Sequence, residues 1–289
     1  MTSILRCPVC GEALARTAHS YHCSNKHTFD IARQGYANFH LVNRKNSREP
    51  GDSQEMIESR RRFLDLGLYN RVSDGINGTV ASLLHDAGQG GALSLLDAGC
   101  GEGFYLKRLK GSLADGRADR GPIDFYGVDV SKAAVRKATQ RDRTMNWFVA
   151  SIIDLPFMTS SLDVILNIFS PADFTEFSRI LGRNGRLVIA SPGPRHLNGL
   201  REVIYPVARE HARSEKAEQA GGHFSLITAS RITYQLALDD RSKIMDLLAM
   251  TPYFWNIGLD TRSKVEALDR LALDVDVDIR VFGKKEGSI

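Results

Sequence analysis

The sequence predicts an α/β protein: a doubly wound, mostly parallel sheet with a terminal antiparallel hairpin, preceded by a small cysteine-rich module. Three observations carry this. A short apolar run at 92–98 enters the turn Gly99-Cys100-Gly101-Glu102-Gly103 and continues into the helically spaced Phe104-Tyr105-Leu106-Lys107-Arg108-Leu109, the first unit of such a sheet. Apolar run and helical segment then alternate five times, the pattern of parallel strands joined by crossovers. Finally, Cys7, Cys10 and Cys23 crowd the first 25 residues, while Cys100 stands alone.

The first module reads Cys7-Pro-Val-Cys10, twelve residues, then Cys23-Ser-Asn-Lys-His27. A C-x2-C knuckle sets two thiolates on one tight turn, and Cys23 with His27 supplies the remaining corners of a tetrahedron. His19 and His22 lie nearby, but His22 adjoins Cys23 and would form an awkward chelate, so His27 is preferred. Three clustered cysteines in a protein expected to be cytosolic argue against disulfides and for one structural zinc ion. A module of about 40 residues is too small to hold together by apolar burial alone, so a metal is physically useful. A four-ligand site has no open position for a reacting water. Ser20-Tyr21-His22-Cys23 alternates as one strand of a small hairpin.

Across all 289 residues, 43% are hydrophobic and 25% charged, as in ordinary globular proteins, which excludes long disorder, collagen and coiled coil. No apolar run is long enough to span a membrane, and the start lacks a charged-then-apolar leader, so no membrane partner is expected. The net charge of +4 is unevenly placed. Residues 1–48 hold seven Lys/Arg against Glu12 and Asp30, or +5, leaving −1 for the rest. A basic end of this kind suits a polyanion.

The second strand, Phe125-Tyr126-Gly127-Val128-Asp129, ends in an acid 26 residues after Gly103. An acid there can accept hydrogen bonds from both hydroxyls of a ribose. The helix from Ser131 to Ala138 follows. Trp147 to Ala150 is the third strand and Ser151-Ile-Ile-Asp-Leu-Pro-Phe157 its loop. Leu162 to Asn167 is the fourth, leading into Ile168-Phe169-Ser170-Pro171. Leu181 to Gly185 reads as a turn before the fifth strand, Arg186 to Ser191. Val275 to Val281 alternates and closes the sheet as an edge hairpin. Residues 198–260 read as mostly helical, with a polar run at 209–222 suited to a lid. Tyr253-Phe254-Trp255 offers rings for base stacking or for the core.

Two chemistries share the central geometry. A dinucleotide site wants G-x-G-x-x-G facing pyrophosphate, whereas here the spacing is G-x-G-x-G, and Glu102 inside the turn would repel pyrophosphate and suit a cation. D-A-G-C-G-E-G resembles motif I of class I S-adenosylmethionine methyltransferases, a Rossmann-like fold. Asp129 then matches that family's ribose acid, and Ser151 stands where its adenine-side acid is usual. With C-P-V-C, Y-H-C-S-N-K-H-T-F-D, A-R-Q-G-Y-A-N, P-G-D-S-Q-E-M, S-P-G-P-R-H-L and M-T-P-Y-F-W in order along nearly the whole chain, the sequence resembles the RlmA family of bacterial 23S rRNA (guanine-N1)-methyltransferases.

The resemblance implies zinc on Cys7, Cys10, Cys23 and His27. It implies S-adenosylmethionine among Tyr69, Asp97, Gly99, Gly101, Glu102, Gly103, Asp129, Ser151, Asn167 and His196. On spacing alone Tyr69 reads as a core aromatic and His196 as a loop residue. It also implies a homodimer and, as substrate, a guanine of hairpin 35 in 23S rRNA or a large-subunit precursor; a cytoplasmic location is expected from the lack of a leader and of a membrane-spanning run. P-G-D-S-Q-E-M and P-G-P-R-H-L look more like the Gram-negative branch. The organisation expected is a zinc ribbon over 1–42 that reads RNA, a basic linker with the start of a helix over 43–62, where Arg60-Arg61-Arg62 suit phosphates, and a methyltransferase domain over 63–289. Guanine N1 carries a proton, so the base must be unpaired and a general base must reach it. Asp173, Glu202 and His196 are the candidates. The competing readings are a small-molecule methyltransferase with a structural zinc and a binding module on an inactive fold.

Overall fold

The computed structural model describes residues 3–41, 51–86, 91–114, 121–205 and 216–285. In chain order the elements are β1 (Ala15–Arg16), β2 (Ser20–His22), β3 (Thr28–Asp30), β4 (Tyr36–Asn38), α1 (Gln54–Asp65), α2 (Asn70–Asp86), β5 (Leu93–Ala98), α3 (Phe104–Ala114), β6 (Ile123–Asp129), α4 (Lys132–Arg141) and β7 (Asn146–Val149). They continue as β8 (Leu162–Ile168), α5 (Phe174–Ile180), β9 (Leu181–Pro192), α6 (Asn198–Ile204), α7 (Lys216–Ala220), β10 (Phe224–Leu238), α8 (Arg241–Ala249), α9 (Tyr253–Asn256), α10 (Leu259–Glu266) and β11 (Leu271–Lys284).

Eight strands form one sheet in the order β10-β11-β9-β8-β5-β6-β7-β4. The pairs from β9 to β4 are parallel, while β11 runs antiparallel to both β9 and β10. Neighbouring residues of each inner strand point to opposite faces, so both faces carry a core. Leu95, Phe125, Trp147 and Val149 join the core on one face, which includes side chains of α2 and α3. Leu96, Tyr126, Val128 and Phe148 join the other. The helix boundaries follow from their caps: Ser53 accepts from the Met56 N–H at the start of α1, and Ser131 does the same for Ala134 at α4.

The N-terminal ribbon is a three-stranded antiparallel sheet, β1-β2-β3, and it packs on the second face. Tyr21 and Phe39 meet Phe148 with ring centroids 5.8 and 5.0 Å away. Leu5 bridges Phe157, and Arg6 pairs with Asp154 at 2.7 Å. The chain then adds β4 beside β7 through Tyr36↔Trp147, Ala37↔Phe148 and Asn38↔Val149. Ribbon and sheet thus share a core and a strand.

Four expectations need restating. Residues 224–238, read as helical, form the long edge strand β10; Ile232, Tyr234, Leu236 and Leu238 alternate inward, a period-2 pattern hidden by the exposed and irregular half before it. Residues 182–185 are not a separate turn before β9. They bulge within it, because Leu162 pairs with Leu181 but Val164 with Arg186. Of the expected linker, residues 43–50, and of the expected lid, residues 209–215, lie outside the described residues. Arg60, Arg61 and Arg62 are on α1 but each meets an acid, Asp52 at 2.5 Å, Asp65 at 3.7 Å and Asp246 at 2.6 Å, so they brace the fold rather than stand ready for phosphates.

Gly127 sits where the sheet is tightest. A Cβ there would lie 2.3 Å from Trp147 Cε3 and Cζ3, and Trp147 is 1% exposed. Gly127→Ala is therefore expected to lower unfolding free energy by about 1–3 kcal/mol, the range for overpacking a filled core. Urea denaturation followed by tryptophan fluorescence checks this; an unchanged midpoint would contradict the packing.

Candidate active site and metal centre

Strand order reverses at β5, with β6 on one side and β8 on the other, and the crevice outside strand ends at such a point is where α/β sheets bind ligands. A cavity of about 780 Å³ opens there. Its wall contains Tyr69, Gly99, Gly101, Glu102, Asp129, Ser151 and His196 from the expected cofactor set.

The turn after β5 needs its glycines, since Gly99, Gly101 and Gly103 take φ of +86°, +55° and +83°. A side chain on Gly101 would meet only Arg60, 3.6 Å away, which leaves that backbone approachable. Asp129 holds the turn: Oδ2 accepts from the Gly101 N–H at 2.9 Å and Oδ1 from the Ser131 N–H at 2.8 Å. Burial pushes its carboxyl up, and those two N–H groups oppose the push. Asp97, one strand away, is 1% exposed, and its Oδ1 has no hydrogen-bond partner among the described residues. Burial, then the nearby Asp129, raise it to about 7. A buried carboxyl with an unused oxygen is a place for a cationic ligand group.

Glu102 behaves differently from its expected role. Its carboxylate is ion-paired with Arg141, which also meets Asp65 at 2.7 Å and faces the Phe104 ring. Its charge is thereby already compensated, although burial still raises its carboxyl. Gly103 and Asn167 stand behind the cavity wall. Gly103 backs onto Trp147 and Ala138, and Asn167 donates to Ala98 and Pro171 carbonyls, tying the tips of β5 and β8.

Tyr69 and His196 meet across the cavity at 3.4 Å. His196 Nδ1 accepts the Asp276 main-chain N–H at 3.2 Å, so its proton sits on Nε2, toward Tyr69 Oη. Neither ring nitrogen then has a lone pair for a substrate proton. Asp276 fixes the whole loop: its main-chain carbonyl accepts from Gly193, and its carboxylate from the Arg195 N–H and Arg231. The other two candidate bases lie off the cavity wall. Asp173 caps α5 by accepting from Glu176 N at 2.8 Å, and exposed Glu202 accepts from Asn198 at 2.7 Å.

Sequence reasoning missed two cavity residues. Phe169 stacks on His196, centroids 5.7 Å apart, and its φ of +50° is strained for a non-glycine. The segment after the fourth strand signalled it only as a loop. Lys216, in the polar run, had no signal at all. Of Tyr253-Phe254-Trp255, Tyr253 lines the cavity, Phe254 is buried beneath Arg262, and Trp255 is 56% exposed.

In the ribbon, Cys7, Cys10, Cys23 and His27 bring their ligand atoms within 4.8 Å of one another. Cys10 and Cys23 Sγ are 3.7 Å apart, and His27 Nδ1 is 3.7 and 3.4 Å from Cys7 and Cys23 Sγ. A tetrahedral zinc with Zn–S of about 2.3 Å gives ligand edges of about 3.5–3.8 Å, so the donors fit the ion. The Glu12 main chain and then Asn25 pull the Cys10 thiol down to about 6, favouring the thiolate that binds metal.

Comparison with known proteins gives concordant matches. The family model described as RlmA, N-terminal covers residues 5–48, and one described as Methyltransferase domain covers 96–189. YxjB of Bacillus subtilis (strain 168), provisionally named a 23S rRNA (guanine-N1)-methyltransferase, is 32% identical over 96% of this chain and 96% of its own. The 23S rRNA (guanine(748)-N1)-methyltransferase of Streptomyces fradiae is 31% identical over 87% of this chain and 86% of its own. A switch-point cavity, a left-handed glycine turn held by the next strand's acid and a Cys3His ribbon define the class: a zinc-ribbon methyltransferase dependent on S-adenosylmethionine. Within it, the chain belongs to the RlmA-type 23S rRNA (guanine-N1)-methyltransferase family.

The ribbon should hold one zinc per chain. Cys7→Ser combined with Cys10→Ser is expected to remove it, measured by elemental analysis of purified protein; full retention of zinc would contradict the ligand set.

Proposed function

We propose that the protein transfers the methyl group of S-adenosylmethionine to N1 of a guanine in hairpin 35 of 23S rRNA, free or in a large-subunit precursor. The observation that carries this reading is a cavity whose wall brings together Asp129, the acid that holds the glycine turn, and the rings of exposed Phe169 and half-buried Tyr253, with the unused oxygen of Asp97 buried behind the turn. The names of the two relatives supply the substrate class.

The bound cofactor supplies an electrophilic methyl group on a sulfonium. In this reading Asp129 accepts from the ribose hydroxyls while holding the glycine turn. Gly99, Gly101 and Gly103 shape the backbone that faces the amino-acid end, Asp97 compensates its ammonium, and Glu102 anchors the turn through Arg141. Ser151 lies beside the adenine, Asn167 fixes the β8 tip, and Tyr69 with His196 forms the wall near the methyl group. Cys7, Cys10, Cys23 and His27 hold zinc. Because N1 lies on the Watson–Crick edge, the target base enters unpaired or flipped, and Phe169 offers it a stacking face. Alignment of nucleophile and methyl carbon supplies much of the rate. Arg16, Lys26 and Arg33 are exposed on the ribbon and suit phosphate contacts, which position RNA without reading its sequence.

The protein is proposed to act in the cytoplasm as a homodimer, with two ribbons around one hairpin. Among the described residues no helix is long and apolar enough to cross a membrane.

Three measurements test this. Incubation with labelled cofactor and large-subunit rRNA from cells lacking the protein is expected to give 1-methylguanosine on nucleoside analysis, and none would refute the reading. Asp129→Ala is expected to weaken cofactor binding roughly 10–100-fold, the size of a charged hydrogen-bond loss. The Cys7→Ser, Cys10→Ser double variant is expected to keep cofactor affinity while losing rRNA methylation; normal methylation would show that the ribbon is not the reader.

A further inference from the structure

The proposed reaction removes a proton from guanine N1, and His196, Asp173 and Glu202 are all committed elsewhere. Lys216 is not. Of the lysine and arginine side chains lining the cavity, Arg60 is paired with Asp52, whereas Lys216 has no acid partner among the described residues. Its Nζ donates to the Ser170 carbonyl and, at 3.2 Å, to Asn167 Oδ1. Both acceptors are neutral oxygens at the β8 tip.

This geometry determines what remains of the nitrogen. One of its four tetrahedral positions is bonded to Cε, and the two acceptors take two N–H groups. The fourth holds a lone pair in the amine and a third N–H in the ammonium. Burial without an opposing acid pulls the amine down to about 8, so both forms are accessible near neutrality.

We propose that Lys216 is the catalytic base, receiving the N1 proton of the guanine as the methyl group is transferred. This deepens the functional reading above and rests on it. N1 bonds to the methyl carbon, the carbon–sulfur bond breaks with its electron pair left on sulfur, and the N1–H bond breaks with its proton on Lys216 Nζ. One positive charge, on sulfur before the step, is on Nζ after it. The cavity's net charge stays constant, which avoids the cost of creating a charge in a site of low dielectric.

Charge also couples Lys216 to the cofactor. Its ammonium would repel the sulfonium, so binding the sulfonium favours the amine. Affinity for S-adenosylmethionine should then be weaker below about pH 8, where Lys216 of the free protein is charged, rise as that charge is lost, and level off above it. S-adenosylhomocysteine lacks the sulfonium but keeps the ribose and ammonium; because the sulfonium also acidifies its own molecule's ammonium, the repulsion is isolated by the difference in the ratio of the two affinities between wild type and Lys216→Gln. Asp97, raised to about 7 by burial and by Asp129, titrates in this range too, but it acts on the ammonium common to both nucleosides, and burial holds the Cys100 thiol well above neutrality. The other ionisable groups that face Lys216 are held. Glu218 on its own helix is exposed, and the 167–171 segment has none. Across the cavity, Asp52 is paired with Arg60, Glu102 with Arg141, Asp129 is held by two main-chain N–H groups, and His196 by Asp276. Tyr69 and Tyr105 are held well above neutrality by burial, and burial also raises Tyr253.

The test measures calorimetric affinities of both nucleosides from about pH 6.5 to 9, for wild type, Lys216→Gln and Lys216→Arg. The ratio of S-adenosylmethionine to S-adenosylhomocysteine affinity is expected to rise across this range on the order of tenfold more for wild type than for Lys216→Gln, which carries only the ligands' own titration. In single-turnover methylation of rRNA, Lys216→Gln should be slower by roughly 10²–10⁴-fold, the usual contribution of a general base. Lys216→Arg should be as slow, because a guanidinium stays protonated. A ratio with the same pH dependence in wild type and folded Lys216→Gln overturns the assignment. If wild type forms 1-methylguanosine and folded Lys216→Gln matches its rate and pH profile, the Lys216 assignment alone falls. If wild type forms none, the substrate reading falls, and the assignment with it.

Discussion

The rest of the molecule depends on β4 pairing with β7. Three residues of the chain leaving the ribbon complete the last parallel edge of the catalytic sheet, and directly beside them Phe39 lies on Phe148. Without this strand β7 would present an open edge, and without the ribbon the Tyr126, Phe148 and Phe157 face would lack its cover. A side chain held on both sides by Tyr21, Phe39 and their sheet neighbours is typical of a core that is destabilised by several kcal/mol when truncated. The metal module is therefore held in register with the sheet rather than swinging on a tether. Whatever the ribbon grips lies at a fixed distance from the cavity.

Charge around that cavity is handled by pairing almost everywhere. Glu102, Arg141 and Asp65 form a chain, Arg60 meets Asp52, and Arg231 meets Asp276. Such partly buried pairs contribute little net stability, but losing one member strands the other. Against this background three groups have no ion-pair partner among the described residues: Asp97 and Asp129 place buried carboxyls, both raised by burial, at the glycine turn, and Lys216 places a basic group at the β8 tip. The site thus has a polarity along its length, acidic where a cationic ligand is expected and basic where an N–H acid is expected.

Local chemistry made the central strands and the metal cluster legible in sequence. Parallel strands buried on both faces read as apolar runs, and the glycine turn with an acid at the next strand's tip has few alternatives. Features that depend on distant partners were not legible. Arg60 to Arg62 resemble a phosphate patch until Asp52, Asp65 and Asp246 are brought to them by folding. Strand β10 escaped because Leu226 and Ile227 point outward and a register shift breaks its alternation. Glu102 suggested a charge facing the ligand, and only the tertiary contact with Arg141 reveals its compensation. Lys216 sits in a polar run that composition alone makes unremarkable, and its meaning comes from the two oxygens it finds at Asn167 and Ser170.

Strand β11 lies between β9 and β10 although it follows both in the chain, and its Asp276 and Asp274 main chains anchor the loop carrying His196. During synthesis from the N-terminus the glycine turn, Asp129 and the ribbon can assemble early, while β10 has no strand to join and the His196 wall has no anchor. The glycine-turn side of the cavity can thus form before its His196 side. A nascent chain passes through a stage at which one wall of the cleft stands and the opposite wall waits for the last strand to be made.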